Sequence, residues 1–254
     1  MTDLSAFSLE GRRILVTGAN TGIGQGIAVS VARAGGAVVG VGRSSMDDTA
    51  GKIAAIGGTF TAARCDLADH KAAQAMLDAV WQEGPLDGLV NNAGIIRRGD
   101  AIDFSEADWD DVMDLNLKSL FFLSQAFAHH ALAEPGRRGK IVNIASVLSF
   151  QGGIKVASYT AAKHGVLGVT RLLGCEWAAK GINVNAIAPG YIETNNTEAL
   201  RADPDRSAAI LGRIPAGRWG EPDDIGDAAV FLLARASDYM HGAVVPVDGG
   251  WLAR

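Results

Sequence analysis

Between residues 14 and 247 the chain alternates short, almost continuously apolar runs with longer stretches of helical period, and this limits the folds open to it. Runs at 14–17, 37–41, 86–90, 140–144 and 183–188 have the length and apolar content of buried strands. A weaker candidate lies at 59–65 and a last one at 243–247. Apolar residues recur at helical spacing over 23–34, 70–83, 105–116, 117–132, 158–180 and 222–234. Strands that alternate with helices form a parallel sheet, and runs apolar on both sides place helices on both of its faces. The expectation is an α/β fold, a single doubly wound domain over 1–254 with about seven strands. The segment 191–219 breaks the alternation and is rich in Asn, Asp, Arg and Pro. Long irregular connections of this kind commonly form lids, so a substrate lid is expected there.

Charge and cysteine content remove whole classes of function. The net charge is −5 and there is no run of Lys or Arg, which argues against a nucleic-acid partner. Residues 1–10 are polar and no uncharged apolar stretch approaches a membrane span, so neither a signal peptide nor a membrane partner is expected. Cys65 and Cys175 are too few for a disulfide framework or a zinc site and are expected as two reduced, buried thiols. A cytoplasmic location follows as the default. The five histidines lack metal-ligand spacing, and no metal is expected.

Residues 17–24, Thr-Gly-Ala-Asn-Thr-Gly-Ile-Gly, follow the first strand and open the first helix. Gly18, Gly22 and Gly24 permit a tight turn and close approach of a ligand, and the amides of a helix N-terminus favour a pyrophosphate. In a βαβ array this is a Rossmann-type dinucleotide site. The second strand ends Gly42-Arg43-Ser44 without the carboxylate that would bind the ribose 2′-OH of NAD, and Arg43 is placed for the 2′-phosphate of NADP. Arg43 could equally be a solvated side chain. Asp66 could accept from an adenine amino group or cap the next helix. Asn92, Ala93 and Gly94 end the fourth strand, either against a cofactor ribose or as a plain turn.

Tyr159 and Lys163 are four apart on a predicted helix and share a face, with Ser146 upstream. A cation beside a phenol lowers its pKa, and a nearby hydroxyl can hold a substrate oxygen. Together they make a proton donor and acceptor for an alcohol/carbonyl pair.

The glycine pattern at 17–24, the Asn-Asn-Ala-Gly of 91–94, Asn116, Ser146, Tyr159, Lys163, Pro189-Gly190 and the Asp-Gly-Gly of 248–250 occur in an order that resembles the short-chain dehydrogenase/reductase superfamily. The resemblance implies a seven-stranded parallel sheet, a catalytic tetrad of Asn116, Ser146, Tyr159 and Lys163, and a homotetramer. It also implies that Lys163 lowers the Tyr159 pKa and binds the nicotinamide ribose, and that Asn116 holds a water in the proton relay. Cofactor contacts follow for Gly18, Asn20, Thr21, Gly22, Ile23, Gly24, Arg43, Asp66, Leu67, Asn92, Ala93, Gly94, Tyr159, Lys163, Pro189, Gly190, Ile192 and Thr194.

The runs 91–98, 104–113, 149–154, 188–197, 213–220 and 248–254 narrow the resemblance to sugar-acid dehydrogenases of that superfamily, which act on gluconates and keto-deoxy or deoxy gluconates. That group is usually NAD-linked, so the cofactor expectation leans to NAD while Arg43 keeps NADP open. A sugar acid needs an Arg fork and hydroxyl or amide partners. The candidates are Arg97, Arg98, Ser146, Gln151, Asn195, Asn196 and Arg201, though each loop residue could as well be a solvated side chain. A 3-oxoacyl carrier-protein reductase of the same fold is the alternative. A dinucleotide sensor without catalysis has no use for an intact proton relay.

Overall fold

In the computed structural model, which describes residues 4–254, apolar side chains leave both faces of the central strands. Ile14 and Val16 point to one core and Leu15, between them, to the other. Such strands are stable only where helices cover both faces. Seven parallel strands result: β1 (Arg13–Thr17), β2 (Ala37–Gly42), β3 (Phe60–Arg64), β4 (Gly88–Asn91), β5 (Gly139–Ile144), β6 (Ile182–Pro189) and β7 (Val244–Val247), in the order β3-β2-β1-β4-β5-β6-β7. Helices α1 (Gly22–Arg33), α2 (Asp47–Ala55) and α9 (Pro222–Leu233) feed the first core. Helices α3 (His70–Glu83), α5 (Leu120–Ala133) and α6 (Ala157–Trp177) feed the second, while α4 (Glu106–Met113) packs against α6. No helix among the described residues is long and apolar enough to cross a membrane.

The structure departs from the sequence reading at four places. Helix α2 was not anticipated, because only Thr49 and Ile53 of its residues are buried and Gly51 interrupts it. The expected boundary at 116/117 is instead a π-helical turn, Asp114–Ser119, that joins α4 to α5 without a loop. Segment 191–219 is not irregular throughout. It holds α7 (Asn195–Ala202) and α8 (Pro204–Leu211), which bury no side chain and so leave no apolar stripe to read. Cys65 is buried as expected, but Cys175 is exposed on α6.

The chain reverses direction along the sheet between β1 and its two neighbours, β2 on one side and β4 on the other. Ligands of open α/β sheets bind at the carboxyl ends of the strands at such a point. The opposite, amino-terminal end carries a buried ion pair. Lys140 on β5, its side chain 4% exposed, reaches Asp238 at 2.8 Å and donates to the Ser237 hydroxyl at 3.3 Å. Burial pushes the Lys140 ammonium below its ordinary value, against the pull of Asp238. Asp238 is 31% exposed and also meets Arg138 at 3.2 Å. Burial raises its carboxyl, but Lys140 and then Arg138 bring it below the usual carboxylate value.

Removing one partner of a buried pair strands the other charge, whereas an apolar isostere can be nearly neutral. Asp238→Ala leaves Lys140 buried and unpaired, and is expected to cost about 3 kcal/mol. Lys140→Met leaves Asp238 with Arg138 and water, and is expected to stay within about 1 kcal/mol of wild type. Urea unfolding of both variants measures this, and equal losses would contradict the asymmetry.

Candidate active site

The cleft at the carboxyl edge is floored by the β1–α1 turn. Thr17 fixes that floor: its hydroxyl donates to Val90 O at 3.1 Å and accepts from the Asn92 and Ala93 amides at 2.9 and 3.0 Å. Asn92 returns a bond from Nδ2 to Thr17 O at 2.9 Å, so its side chain faces the glycine turn. Gly18 has φ +68°, and a Cβ there would meet Asn92 Nδ2 at 2.9 Å. A Cβ on Gly24 would lie 2.1 Å from Gly18 O. The floor is therefore bare backbone by necessity. No side chain caps α1 and no acid stands in its first turn, which leaves its amides to a ligand.

The cleft has a volume of about 360 Å³, and each residue named above as a cofactor contact lines it. The bare floor and uncapped helix fit a dinucleotide pyrophosphate. At the β2 end the exposed Arg43 lies 3.6 Å from Asp66. Asn20 Nδ2 donates to Ser44 Oγ at 3.0 Å. Helix α3 is capped by Asp69, which accepts from Lys71 and Ala72 at 3.0 and 3.2 Å, so Asp66 is not its cap.

At the other end of the cleft, Ser146 leaves β5 at the start of a short turn. Its hydroxyl accepts from Leu148 N at 3.1 Å, and its own amide donates to Ser149 Oγ at 3.2 Å. Ser149 in turn donates to Lys163 O at 2.7 Å, locking the turn against α6. Tyr159 and Lys163 share the inner face of α6 as their spacing predicts. Lys163 is buried without a carboxylate partner among the described residues, and its Nζ donates to Ile144 O at 2.6 Å. Burial pushes its pKa down to about 8. The Nζ is 5.6 Å from the Tyr159 ring centroid.

The expected lowering of the phenol by Lys163 is not what this geometry gives. Burial raises Tyr159 above its ordinary value; the groups that pull it back down are the Ser146 hydroxyl and the Arg98 guanidinium. Asn116 lies in the π-helical turn and does not line the cleft. Its amide clamps both ends of the Ile95 peptide, accepting from N and donating to O, each at 2.9 Å. The side chain thus fixes the cleft wall beside Gly94.

The substrate candidates separate. Arg97 turns away from the cleft to Asp111 at 2.9 Å and Asp108 at 3.4 Å. Arg98 acts on Tyr159 and donates to Asn196 O at 3.4 Å, bridging the loop after β4 and α7. Asn195 and Asn196 line the cleft, whereas Gln151 does not. Arg201 is turned to Glu193 at 3.6 Å and Thr194 O at 3.4 Å. Sequence reasoning missed Thr17 and Ser149, which position the site without touching its centre. It also missed the buried bonds of Asn91 to Ser124 and Asn143, both 2.9 Å. The available signal was a polar residue inside or at the end of an apolar strand. Among the described residues no group of three His, Cys, Asp or Glu side chains could hold a metal ion.

Residues 18–252 match the protein family described as enoyl-(acyl carrier protein) reductase. The chain is 58% identical over 252 residues to 2-dehydro-3-deoxy-D-gluconate 5-dehydrogenase of Escherichia coli (strain K12), covering 99% of each. It is 64% identical to a solved structure from Agrobacterium tumefaciens with bound NADP, provisionally named a 2-deoxy-D-gluconate 3-dehydrogenase, with a TM-score of 0.93 over 98% of this chain and 99% of that one. A gluconate 5-dehydrogenase from Burkholderia cenocepacia J2315, solved with NADP and tartrate, is 39% identical with a TM-score of 0.93 over 99% of both chains. With the cleft, the sheet order and these relatives in agreement, the chain belongs to the short-chain dehydrogenase/reductase family and is an NAD(P)-dependent oxidoreductase.

Proposed function

We propose that this protein exchanges a hydride between NADP and a secondary alcohol or ketone of a deoxy sugar acid, of the 2-dehydro-3-deoxy-D-gluconate or 2-deoxy-D-gluconate type. The observation that carries this reading is that Ser146, Tyr159 and Lys163 open onto the same cleft that the glycine turn floors. The names of the relatives support the substrate class. A bound nicotinamide supplies the hydride chemistry. The chain's own residues handle the proton. Ser146 Oγ holds the substrate oxygen, Tyr159 Oη takes its proton in oxidation and returns it in reduction, the Ser146 hydroxyl and the Arg98 guanidinium favour the phenolate while the proton is away, and Lys163 holds the nicotinamide ribose. Asn116 holds the wall behind Gly94, with a relay water on its backbone. Asn195, Asn196 and Arg98 face the substrate, and segment 191–219 closes over it as a lid.

NADP displaces the earlier lean to NAD. No carboxylate ends β2, Arg43 is exposed at the cleft, and two of the relatives carry bound NADP. Asp66 holds Arg43 loosely enough, at 3.6 Å, to release it to a phosphate. The family resemblance adds a homotetramer, and the cysteine content keeps a cytoplasmic location as the default. Leu132 on α5 and Leu172 on α6, both exposed, support an assembly.

Turnover of 2-dehydro-3-deoxy-D-gluconate, 2-deoxy-D-gluconate, D-gluconate and an acetoacetyl thioester, each with NADP and NAD, tests the reading. The sugar acids should be preferred, with NADP, and Arg43→Ala should erode the NADP preference at least about tenfold. Preference for the thioester would make the protein a carrier-protein reductase instead. Tyr159→Phe should lower kcat by about 10²–10⁴ while NADPH binding stays within about twofold, and wild-type turnover in that variant would remove Tyr159 from the proton step.

Lys163 gives a stability signature. Its folded pKa of about 8 lies below its ordinary value of 10.5, so the folded state binds fewer protons than the unfolded state between those values. Stability therefore rises with pH across that window, and below about pH 8 the buried charge costs its full amount. Lys163→Met lacks this dependence. Its melting temperature relative to wild type should fall steadily from pH 8 to pH 10.5, whatever constant the lost bond to Ile144 adds. Parallel curves would show that the ammonium is not held against its burial.

A further inference from the structure

Two guanidiniums of the segment 191–219, neither of them in the cleft lining, carry charge that no carboxylate among the described residues neutralises. Other cations of the same segment are paired, Arg201 with Glu193 and Arg218 with Asp224 at 2.7 Å. Arg206 and Arg213, at the two ends of α8, form no such pair. Arg213 lies over the Trp251 indole at 4.0 Å, and Trp251 tilts against Tyr191 with ring centroids 4.7 Å apart. Burial raises the Tyr191 phenol, and Arg213 and then Arg206 pull it back. Trp251 is 4% exposed, yet its buried Nε1–H has no partner.

This wall adjoins the reacting groups. Tyr191 follows Gly190, which lines the cleft, and Val147 follows Ser146; Val147, Trp251 and Tyr191 pack in one apolar cluster. The arrangement offers an aromatic floor, a phenol, an indole N–H and two free guanidiniums. These are the groups a carboxylate with flanking hydroxyls requires, since a planar guanidinium matches the two oxygens and aromatic rings support the carbon chain. Arg98 by contrast acts on Tyr159 and bonds to Asn196 O. In a sugar acid the carboxyl group is several bonds from the secondary alcohol that is oxidised.

We propose that Arg213, set over the Tyr191–Trp251 wall, binds the substrate's carboxylate, with Arg206 adding positive charge to the same segment, and thereby fixes which carbon stands at Tyr159. The proposal rests on the sugar-acid reading above and deepens it by naming the specificity site.

The test uses the full chain with NADP and two substrates, 2-dehydro-3-deoxy-D-gluconate and its methyl ester, which differ only in the carboxylate charge. Wild type should prefer the acid. Arg213→Gln and Arg206→Gln should each raise KM for the acid about 10- to 100-fold with kcat nearly kept, and leave kcat/KM for the ester within about twofold. Arg213→Lys should recover part of the acid preference. Arg206 makes no ring contact, so its variant keeps the test valid if Arg213→Gln melts early. Wild type that prefers the acid, with variants that keep this preference or lose acid and ester equally, overturns the carboxylate site alone. Wild type that turns over neither compound overturns the sugar-acid reading and this proposal with it.

Discussion

A parallel sheet buried on both faces leaves chemistry only at the ends of its strands, and here one hydroxyl holds the productive end open. Thr17 joins β1 to the end of β4 through three bonds to Val90, Asn92 and Ala93. The two strands then part into loops that run to opposite sides. The glycine turn lies flat because Thr17 and Asn92 fix it from below, and Gly24 can approach Gly18 because neither carries a Cβ. The catalytic end is built the same way, from β5 through Ser149 to α6. Binding and proton transfer share one cleft because adjacent strands β4 and β5 deliver both.

Within that cleft the buried Lys163 is the costly element. An ammonium held by one carbonyl, with no carboxylate beside it among the described residues, loses hydration that the single bond to Ile144 only partly replaces. Its pKa falls to about 8, and Tyr159 rises for the same reason, burial. Burial thus favours the neutral form of both groups, the amine over the ammonium and the phenol over the phenolate. A lysine whose pKa lies near neutrality can change its charge as the site works, so the burial that destabilises the fold also equips the site.

The parts of this arrangement that follow from local rules were legible in the sequence. Strand positions follow from continuous apolar runs, and the shared face of Tyr159 and Lys163 follows from helical spacing. What escaped was set by tertiary contact. The π-helical turn that carries Asn116 has no compositional mark, because it arises where α4 must meet α5 while Asn116 clamps Ile95. The helices α7 and α8 escaped because they bury nothing. Arg97 and Arg98 are indistinguishable as letters, yet adjacent residues in a loop point apart, one to Asp108 and Asp111 and the other to Asn196.

Charge placement then separates two scales. The chain as a whole carries −5, which repels an anion at long range. The binding segments nevertheless carry cations that are not neutralised, since Arg43 is only loosely held and Arg98, Arg206 and Arg213 have no carboxylate partner among the described residues. Over a Debye length of about 8 Å at physiological salt, an anion at the cleft mouth responds to these local cations and hardly to the distant net charge. Some carboxylates elsewhere are engaged with their own cations, as in Asp224 with Arg218 and Asp238 with Lys140. An acidic chain can thus hold a doubly anionic demand, a phosphorylated dinucleotide and a carboxylate substrate, provided that its unpaired guanidiniums are gathered at one edge of the sheet. Pairing any of them with an added acid nearby would leave the fold intact and remove the local field on which recognition depends.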